Sequence, residues 1–258
     1  MAMDAIREEF GKTIKALQFF TRIPLPSRLS SMADHSTGLE KSAAHFPIAG
    51  LVIGLLLAAL FLVLSWLLPP VLASGLTIAA GMVISGALHE DGLADCADGL
   101  GGSSKPERAL EIMKDSRIGA FGASALIFSI GLRWAALASM PITAGAVALI
   151  ISHGAARGAI AIALATSSYA RASGTGSLVA PGISFVELAV TAVICGLLGL
   201  AFGGFSGLVA VGIGWLAALV FLLWFEHRIG GYTGDCLGGM EQVAEIAILA
   251  ALLASIAG

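Results

Sequence analysis

The sequence predicts an all-α fold: a polytopic integral membrane helical bundle of about seven transmembrane helices behind an N-terminal amphipathic interfacial helix. Three observations carry that expectation. Of 258 residues, 57% are hydrophobic and 12% charged, about half the charged share of a soluble domain, and the mean hydropathy is +0.93. Seven windows, 46–68, 70–89, 119–140, 142–165, 183–201, 205–225 and 241–258, match the run of about 20 apolar residues that a bilayer core requires. Lys and Arg, finally, gather on one side of those windows.

The elements follow in chain order. Residues 1–45 read as a cytoplasmic or interfacial segment. Within it, "DAIREEFGKTIKALQFF" sets Ile6, Phe10, Ile14, Leu17 and Phe20 near one helical stripe, with charges on the remainder. Such a helix lies in a membrane interface or packs on the protein's own cytoplasmic face. No continuous apolar signal core precedes it, so no cleaved signal peptide is expected. Residues 46–258 read as the transmembrane bundle, making 1–258 a single membrane domain. Tight corners fall at "PP" (69–70), "SMPIT" (139–143) and "GG" (203–204), where proline resists continuing a helix. The last window opens with Glu241 and Glu245, so its start is the least defined boundary.

Orientation comes from the basic residues. Arg7, Lys12, Lys15, Arg22, Arg28 and Lys41 precede the first window, Lys105, Arg108, Lys114 and Arg117 follow the second, and Arg171 and Arg228 lie in the later long connections. The short corners carry none. Positive residues favour the cytoplasm, which places the N-terminus and the connections near 89–118 and 226–242 on that side. Arg133 and Arg157 alone fall inside windows. Arg133 reads as snorkelling outward, and Arg157, one turn after His153, as contacting phosphate or carboxylate. A net charge of −3 argues against a nucleic-acid partner. Cys96, Cys195 and Cys236 have no paired spacing, so neither a disulfide framework nor a zinc site is expected.

The chemistry concentrates in "HEDGLADCADG", 89–99. As a helical continuation of the second window, it puts Asp91, Asp95 and Asp98 at i, i+4 and i+7 on one face. Like charges so close beside a membrane repel one another unless a cation joins them. Oxygen ligands alone suit a hard ion, Mg²⁺, Mn²⁺ or Ca²⁺. Gly92 and Gly99 are expected to leave room for a bulky ligand. Glu90 lies off the aspartate face, within reach of a second metal or a substrate hydroxyl, and His89 reads as a packed histidine on the opposite side. Farther along, "MKDSR" offers Asp115 to complete a metal shell and Lys114 and Arg117 to hold phosphate oxygens. "GGYTGDCLGGMEQ" offers Thr233 and Gly234 in a glycine-rich turn suited to phosphate, and Asp235 as another ligand. Carboxylates for a divalent metal, cations for phosphates and a membrane cavity together point to phosphoryl transfer.

Five ordered blocks, "FFTRIPLP", "FPIAGLVIG", "HEDGLADCADG", "IMKDSRIGAFG" and "GGYTGDCLGG", resemble the cobalamin synthase family, the adenosylcobinamide-GDP ribazoletransferases. The resemblance runs from about residue 17 to 245. His89, Asp91, Asp95 and Asp98 fit the family pattern His-x-Asp-Gly-Leu-Ala-Asp-x-x-Asp-Gly; Glu90 occupies its variable position, and Gly239 stands where another small residue such as alanine is expected. The resemblance implies a Mg²⁺-dependent enzyme of the bacterial inner membrane with its active site facing the cytoplasm. Such an enzyme joins adenosylcobinamide-GDP to α-ribazole or its 5′-phosphate, releasing GMP and giving adenosylcobalamin or its 5′-phosphate. One or two ions, with Mn²⁺ able to substitute, would be held by Asp91, Asp95 and Asp98 with Asp115 or Asp235. Lys114, Arg117 and Arg157 would neutralise phosphates, and one aspartate could instead serve as general base. A homo-oligomer or association with other cobalamin-pathway enzymes is a further expectation.

Three rival readings remain. A CDP-alcohol phosphotransferase requires an Ala-Arg pair where "DGLAD" has Asp95. A membrane cation transporter using the acidic cluster would place it near the midplane, whereas these carboxylates lie at the border of an apolar run. A scaffold for other pathway proteins leaves the aspartates without a purpose.

Overall fold

The computed structural model describes residues 2–33, 38–171, 178–179 and 182–257. Among these the architecture is helical, with an isolated parallel bridge between Tyr169 and Tyr232. Helix α1 spans Ala2–Phe20, α2 Ser27–Ser30, and a 3-10 turn, Leu39–His45, leads into α3, Phe46–Leu67. Helices α4 (Pro70–Ser85), α5 (Leu88–Gly102), α6 (Pro106–Ile112) and α7 (Ala120–Ser139) follow, then α8 (Ile142–Thr166), α9 (Phe185–Ile229) and α10 (Gly234–Ala257).

Of the two expected roles of the N-terminal helix, packing on the protein's own face is seen over its second half. Ile14, Ala16 and Phe20 are buried against the bundle, while Met3, Ile6 and Phe10 near the start keep their apolar side chains exposed. Helix α8 forms the centre of the bundle, buried almost throughout. Close packing there depends on absent side chains: a Cβ at Gly50 or Gly54 of α3 would strike the α8 backbone at His153–Gly154 or at Leu149–Ile150. Small residues of this kind let membrane helices approach closely. Leu55, Leu62, Val63 and Trp66 on α3, and Val186, Val190, Val193 and Leu197 on α9, face outward as an apolar surface for lipid.

Leu39–Leu67, Ala120–Ser139, Ile142–Thr166, Phe185–Ile229 and Gly234–Ile256 are long and apolar enough to cross a membrane. Pro70–Ser85 with Leu88–Gly102 adds a sixth if the bent pair is one span. The 45 residues of α9 fold back on themselves at Gly204 (φ 59°, ψ −147°), since a Cβ on Gly199 or Gly207 would meet the other's carbonyl oxygen. Its two arms match the windows 183–201 and 205–225. Ser184 and Glu187 close a capping box at its start, Ser184 Oγ accepting from the Glu187 N–H at 3.2 Å.

Two boundaries differ from the sequence expectation. The second window does not run on into the aspartate helix. Gly86 (φ 65°) and Ala87 (φ 54°) both adopt left-handed backbone, and α4 and α5 meet at 89°. The turn is held by the Ala87 N–H donating to the Met82 carbonyl at 2.7 Å, a helix C-cap that glycine favours. The last helix begins at Gly234 instead of 241, so Glu241 and Glu245 lie two and three turns inside it. The connection expected over 226–242 thus shrinks to the few residues between Ile229 and Gly234.

Candidate active site

Two helices build the carboxylate cluster. On α5, Asp91 is exposed and Asp95 half-buried one turn later. The α5 and α10 backbones touch where Gly92 meets Gly238; a Cβ at Gly92 would lie 2.8 Å from the Asp235 carbonyl oxygen. That contact sets Asp235, in the first turn of α10, beside the α5 aspartates. Asp235, Asp91 and Asp98 all repel the Asp95 charge, and Arg171 attracts it. Arg171 Nη2 lies 2.8 Å from Asp235 Oδ2. Its position follows from the short pairing of two connections: the Ala170 N–H donates to the Tyr232 carbonyl and the Tyr232 N–H to that of Ser168, both at 2.8 Å. Asp95 and Asp235 therefore share one guanidinium, and Asp91 adds a further negative charge beside them. The far end of α5 is closed by Arg228, whose Nη2 donates to the carbonyls of Leu100 and Ser103 at 2.9 and 2.7 Å. Neither arginine was singled out from sequence, where both read as topological charge.

Several expected site residues are engaged elsewhere. Asp98 is buried, and its two oxygens accept from the N–H groups of Gly119 and Gly122 at 2.7 and 2.8 Å. It caps the start of α7, so the three-aspartate face divides into two open carboxylates and one structural one. Asp115 does not join the cluster; it accepts from the Arg117 side chain at 3.0 Å on the surface. That neighbour holds its carboxyl down, from 3.8 to about 2. Lys114 is exposed, as is Arg117. Thr233 is fully buried as the cap of α10, its Oγ1 accepting from the Cys236 N–H at 3.2 Å. Gly92 and Gly99 do not leave open space: Asp235 and Gly238 fill the first position, Met113 and Ala109 the second.

Beneath the cluster lies a buried ionic network whose extent the sequence concealed. Arg133 does not snorkel outward; it is 3% exposed, with Nη2 3.0 Å from Glu90 Oε1 and Nη1 3.4 Å from Glu245 Oε1. Glu90 is thereby withdrawn from the substrate side. Arg157 contacts a carboxylate as expected, but that of Glu241, at 2.9 Å, which removes it from direct phosphate binding. His89 Nδ1 lies 3.4 Å from Glu241 Oε2 and His153 Nδ1 3.6 Å from Glu245 Oε2. Gln242 joins Glu241 at 3.0 Å and Ser129 at 2.8 Å. The ligand atoms of His153, Glu241 and Glu245 lie within 4.8 Å of one another, a buried group that could hold a metal ion. Ionisable residues inside a membrane helix pair because desolvation penalises each alone. The legible signal was Glu241 and Glu245 at i, i+4 in an apolar window, which read instead as an indistinct helix start.

Comparisons with known proteins identify the family. Residues 12–253 match the family model described as cobalamin-5-phosphate synthase. A protein of Ralstonia pickettii (strain 12J) named adenosylcobinamide-GDP ribazoletransferase is 41% identical, over 98% of each chain. Relatives of the same name are 39% identical in Ralstonia nicotianae, over 98% of each chain, and 38% identical in Sinorhizobium medicae, over 98% of this chain and all of the relative. No solved structure matches. The motif helix at 88–102 and the Asp235 turn both fall inside the matched range, and the chain belongs to the cobalamin-5-phosphate synthase family.

Proposed function

We propose that this chain joins adenosylcobinamide-GDP to α-ribazole or its 5′-phosphate, releasing GMP and forming adenosylcobalamin or its 5′-phosphate. The names of relatives that align over 98% of the chain support the reaction. The observation that carries the site is the meeting of Asp91 and Asp95 with Asp235 across the Gly92–Gly238 contact. An all-oxygen donor set with surplus negative charge fits a hard divalent ion, Mg²⁺ with Mn²⁺ able to substitute. Asp91, Asp95 and Asp235 would hold one or two such ions, which supply charge neutralisation at pyrophosphate oxygens.

The protein's own groups do the remainder. The ribose 3′-hydroxyl oxygen of α-ribazole attacks the phosphorus on the cobinamide side, and the bond to the GMP oxygen breaks with its electron pair leaving on GMP. A cluster carboxylate receives the hydroxyl proton. Arg171 holds Asp235 in place, and the exposed Lys114 and Arg117 supply positive charge for phosphate oxygens. Thr233 fixes the start of α10, and Asp98 ties α5 to the start of α7. The Lys and Arg distribution and the bacterial relatives support an inner membrane location with this end in the cytoplasm. The cation-transport alternative is not favoured, because the carboxylates at membrane depth are paired with Arg133 and Arg157.

The test is GMP release by the purified chain in liposomes, given both substrates, with Mg²⁺ or with EDTA. Metal-dependent release matched by adenosylcobalamin formation is expected, and Asp95→Asn should lower kcat by on the order of 100-fold. Folded protein that yields no product sinks the proposal.

A further inference from the structure

Arg171 stands at the open carboxylates with one edge of its guanidinium unused, on a segment that is pinned in place. Tyr169 and Tyr232 form the parallel bridge, and Tyr232 is buried with its hydroxyl donating to the Val179 carbonyl at 3.2 Å. A Cβ at Gly231 would strike the Ser168 carbonyl oxygen, so the connection leaving α8 lies flat on the one entering α10. Arg171 follows directly, its side chain 10% exposed and its Nη2 2.8 Å from Asp235 Oδ2. That contact is an ion pair out of line with the N–H. Nε and Nη2 are both buried, and neither has a hydrogen-bond partner among the described residues.

Nε and Nη2 form the edge with which a guanidinium grips two oxygens at once. In Arg117 that edge is engaged, Nε and Nη2 donating to the Asp115 carboxylate. Arg133 and Arg157 are committed to glutamates, and Arg228 to the carbonyls of Leu100 and Ser103. Of these arginines, Arg171 is the one whose Nε and Nη2 both lack a hydrogen bond. Two buried donors without acceptors are costly until a ligand meets them. Their ligand must present paired anionic oxygens and tolerate Asp95 and Asp235 alongside, which a phosphoryl group does once a divalent ion lies between. We infer that Arg171 binds the pyrophosphate of adenosylcobinamide-GDP, Nε and Nη2 donating to two phosphoryl oxygens while Asp235 orients the guanidinium. The inference rests on the reaction proposed above. It makes Arg171 a catalytic residue touching the reacting group, and adds to the exposed Lys114 and Arg117 a cation whose backbone is fixed.

The experiment compares the full chain with its Arg171→Leu and Arg171→Lys variants. Binding of inorganic pyrophosphate with Mg²⁺ is measured by equilibrium dialysis, and Mn²⁺ affinity without phosphate by electron paramagnetic resonance. Arg171→Leu should weaken pyrophosphate by about tenfold or more, about 1.4 kcal/mol. Arg171→Lys, which keeps the charge and loses the planar fork, should recover only part of it. Mn²⁺ affinity should stay within about twofold in both, whereas a residue that only held Asp235 for the ion would cost about 10–100-fold on removal. In turnover with α-ribazole, KM for adenosylcobinamide-GDP should rise about tenfold and KM for α-ribazole stay within about twofold. Should Arg171→Leu fail to fold, Arg171→Lys carries the same comparison. Pyrophosphate binding that is undiminished, or that falls only in step with Mn²⁺ affinity, would overturn the inference. So would a KM rise confined to α-ribazole 5′-phosphate as acceptor, which would give the fork to the acceptor's phosphate. Should wild type bind pyrophosphate through Arg171 and release no GMP, the reaction proposal fails and the site stands. Should it release GMP while Arg171→Leu binds pyrophosphate as wild type does, the site fails and the reaction stands.

Discussion

Glu90 and Asp91 are adjacent in sequence and belong to different electrostatic settings. Glu90 turns inward, 4% exposed, to Arg133 in the network that ties α5, α7, α8 and α10 together. Asp91 turns outward to Asp95 and Asp235. In the buried region each carboxylate has a cation or an imidazole within 3.6 Å. In the open region Asp95 and Asp235 share Arg171, with Asp91 as a third carboxylate beside them. The two regions differ in their supply of cations and not in their number of carboxylates. Charges inside the bundle are paired by the protein itself, because desolvation makes an unpaired one costly. Charges at the border can be left for a ligand to neutralise.

Breaking the buried region should give the largest effect on folding. Arg157→Leu leaves Glu241 buried without its guanidinium and should destabilise the protein by about 3–5 kcal/mol, read as chemical unfolding in detergent. Arg157→Leu with Glu241→Leu should recover most of that loss. Unchanged stability in the single variant would mean that the network is not structural, and the contrast between the regions would fail.

Asp98 sharpens the border between them. It belongs to the motif face, yet both its oxygens cap α7. Asp98→Ala should cost about 1–2 kcal/mol of stability, as loss of a helix cap does. Mn²⁺ affinity, followed by electron paramagnetic resonance, should remain within about twofold of wild type, in contrast to the loss expected for Asp95→Asn. Equal losses of Mn²⁺ binding would return Asp98 to the ligand set.

The smallest effect belongs to Asp115, whose pair with Arg117 is exposed. A carboxyl lowered from 3.8 to about 2 contributes stability above pH 3.8 that is lost as pH falls through about 2. At neutrality that contribution is present in full but small, because the pair is open to water, so Asp115→Asn should lower the melting temperature only slightly and leave turnover unchanged. A clear fall in turnover at pH 7 would show that Asp115 meets substrate or metal after all.

Much of this protein was legible in its sequence because the signals are local. Apolar runs of membrane length, corners at Pro69, Pro70, Pro141 and Gly204, and aspartates at i and i+4 are properties of one segment and its own helix period. The family blocks are linear too. What the sequence hid is non-local. Gly86 and Ala87 sit within an apolar run that reads as continuous, yet the chain turns there by 89°, and a Cβ at Gly86 would strike the Arg22 side chain packed beside it. Gly92 looked like room for a ligand until α10 occupied it. Arg133 looked like a snorkelling cation until Glu90 and Glu245, 43 and 112 residues away, met it inside the bundle. By itself the sequence determined the helices, the membrane class and a carboxylate-bearing face. The tertiary structure alone decided which of those carboxylates are open, which are capped and which are paired. A residue's chemical type is written at its own position, but its electrostatic partner arrives from elsewhere in the chain.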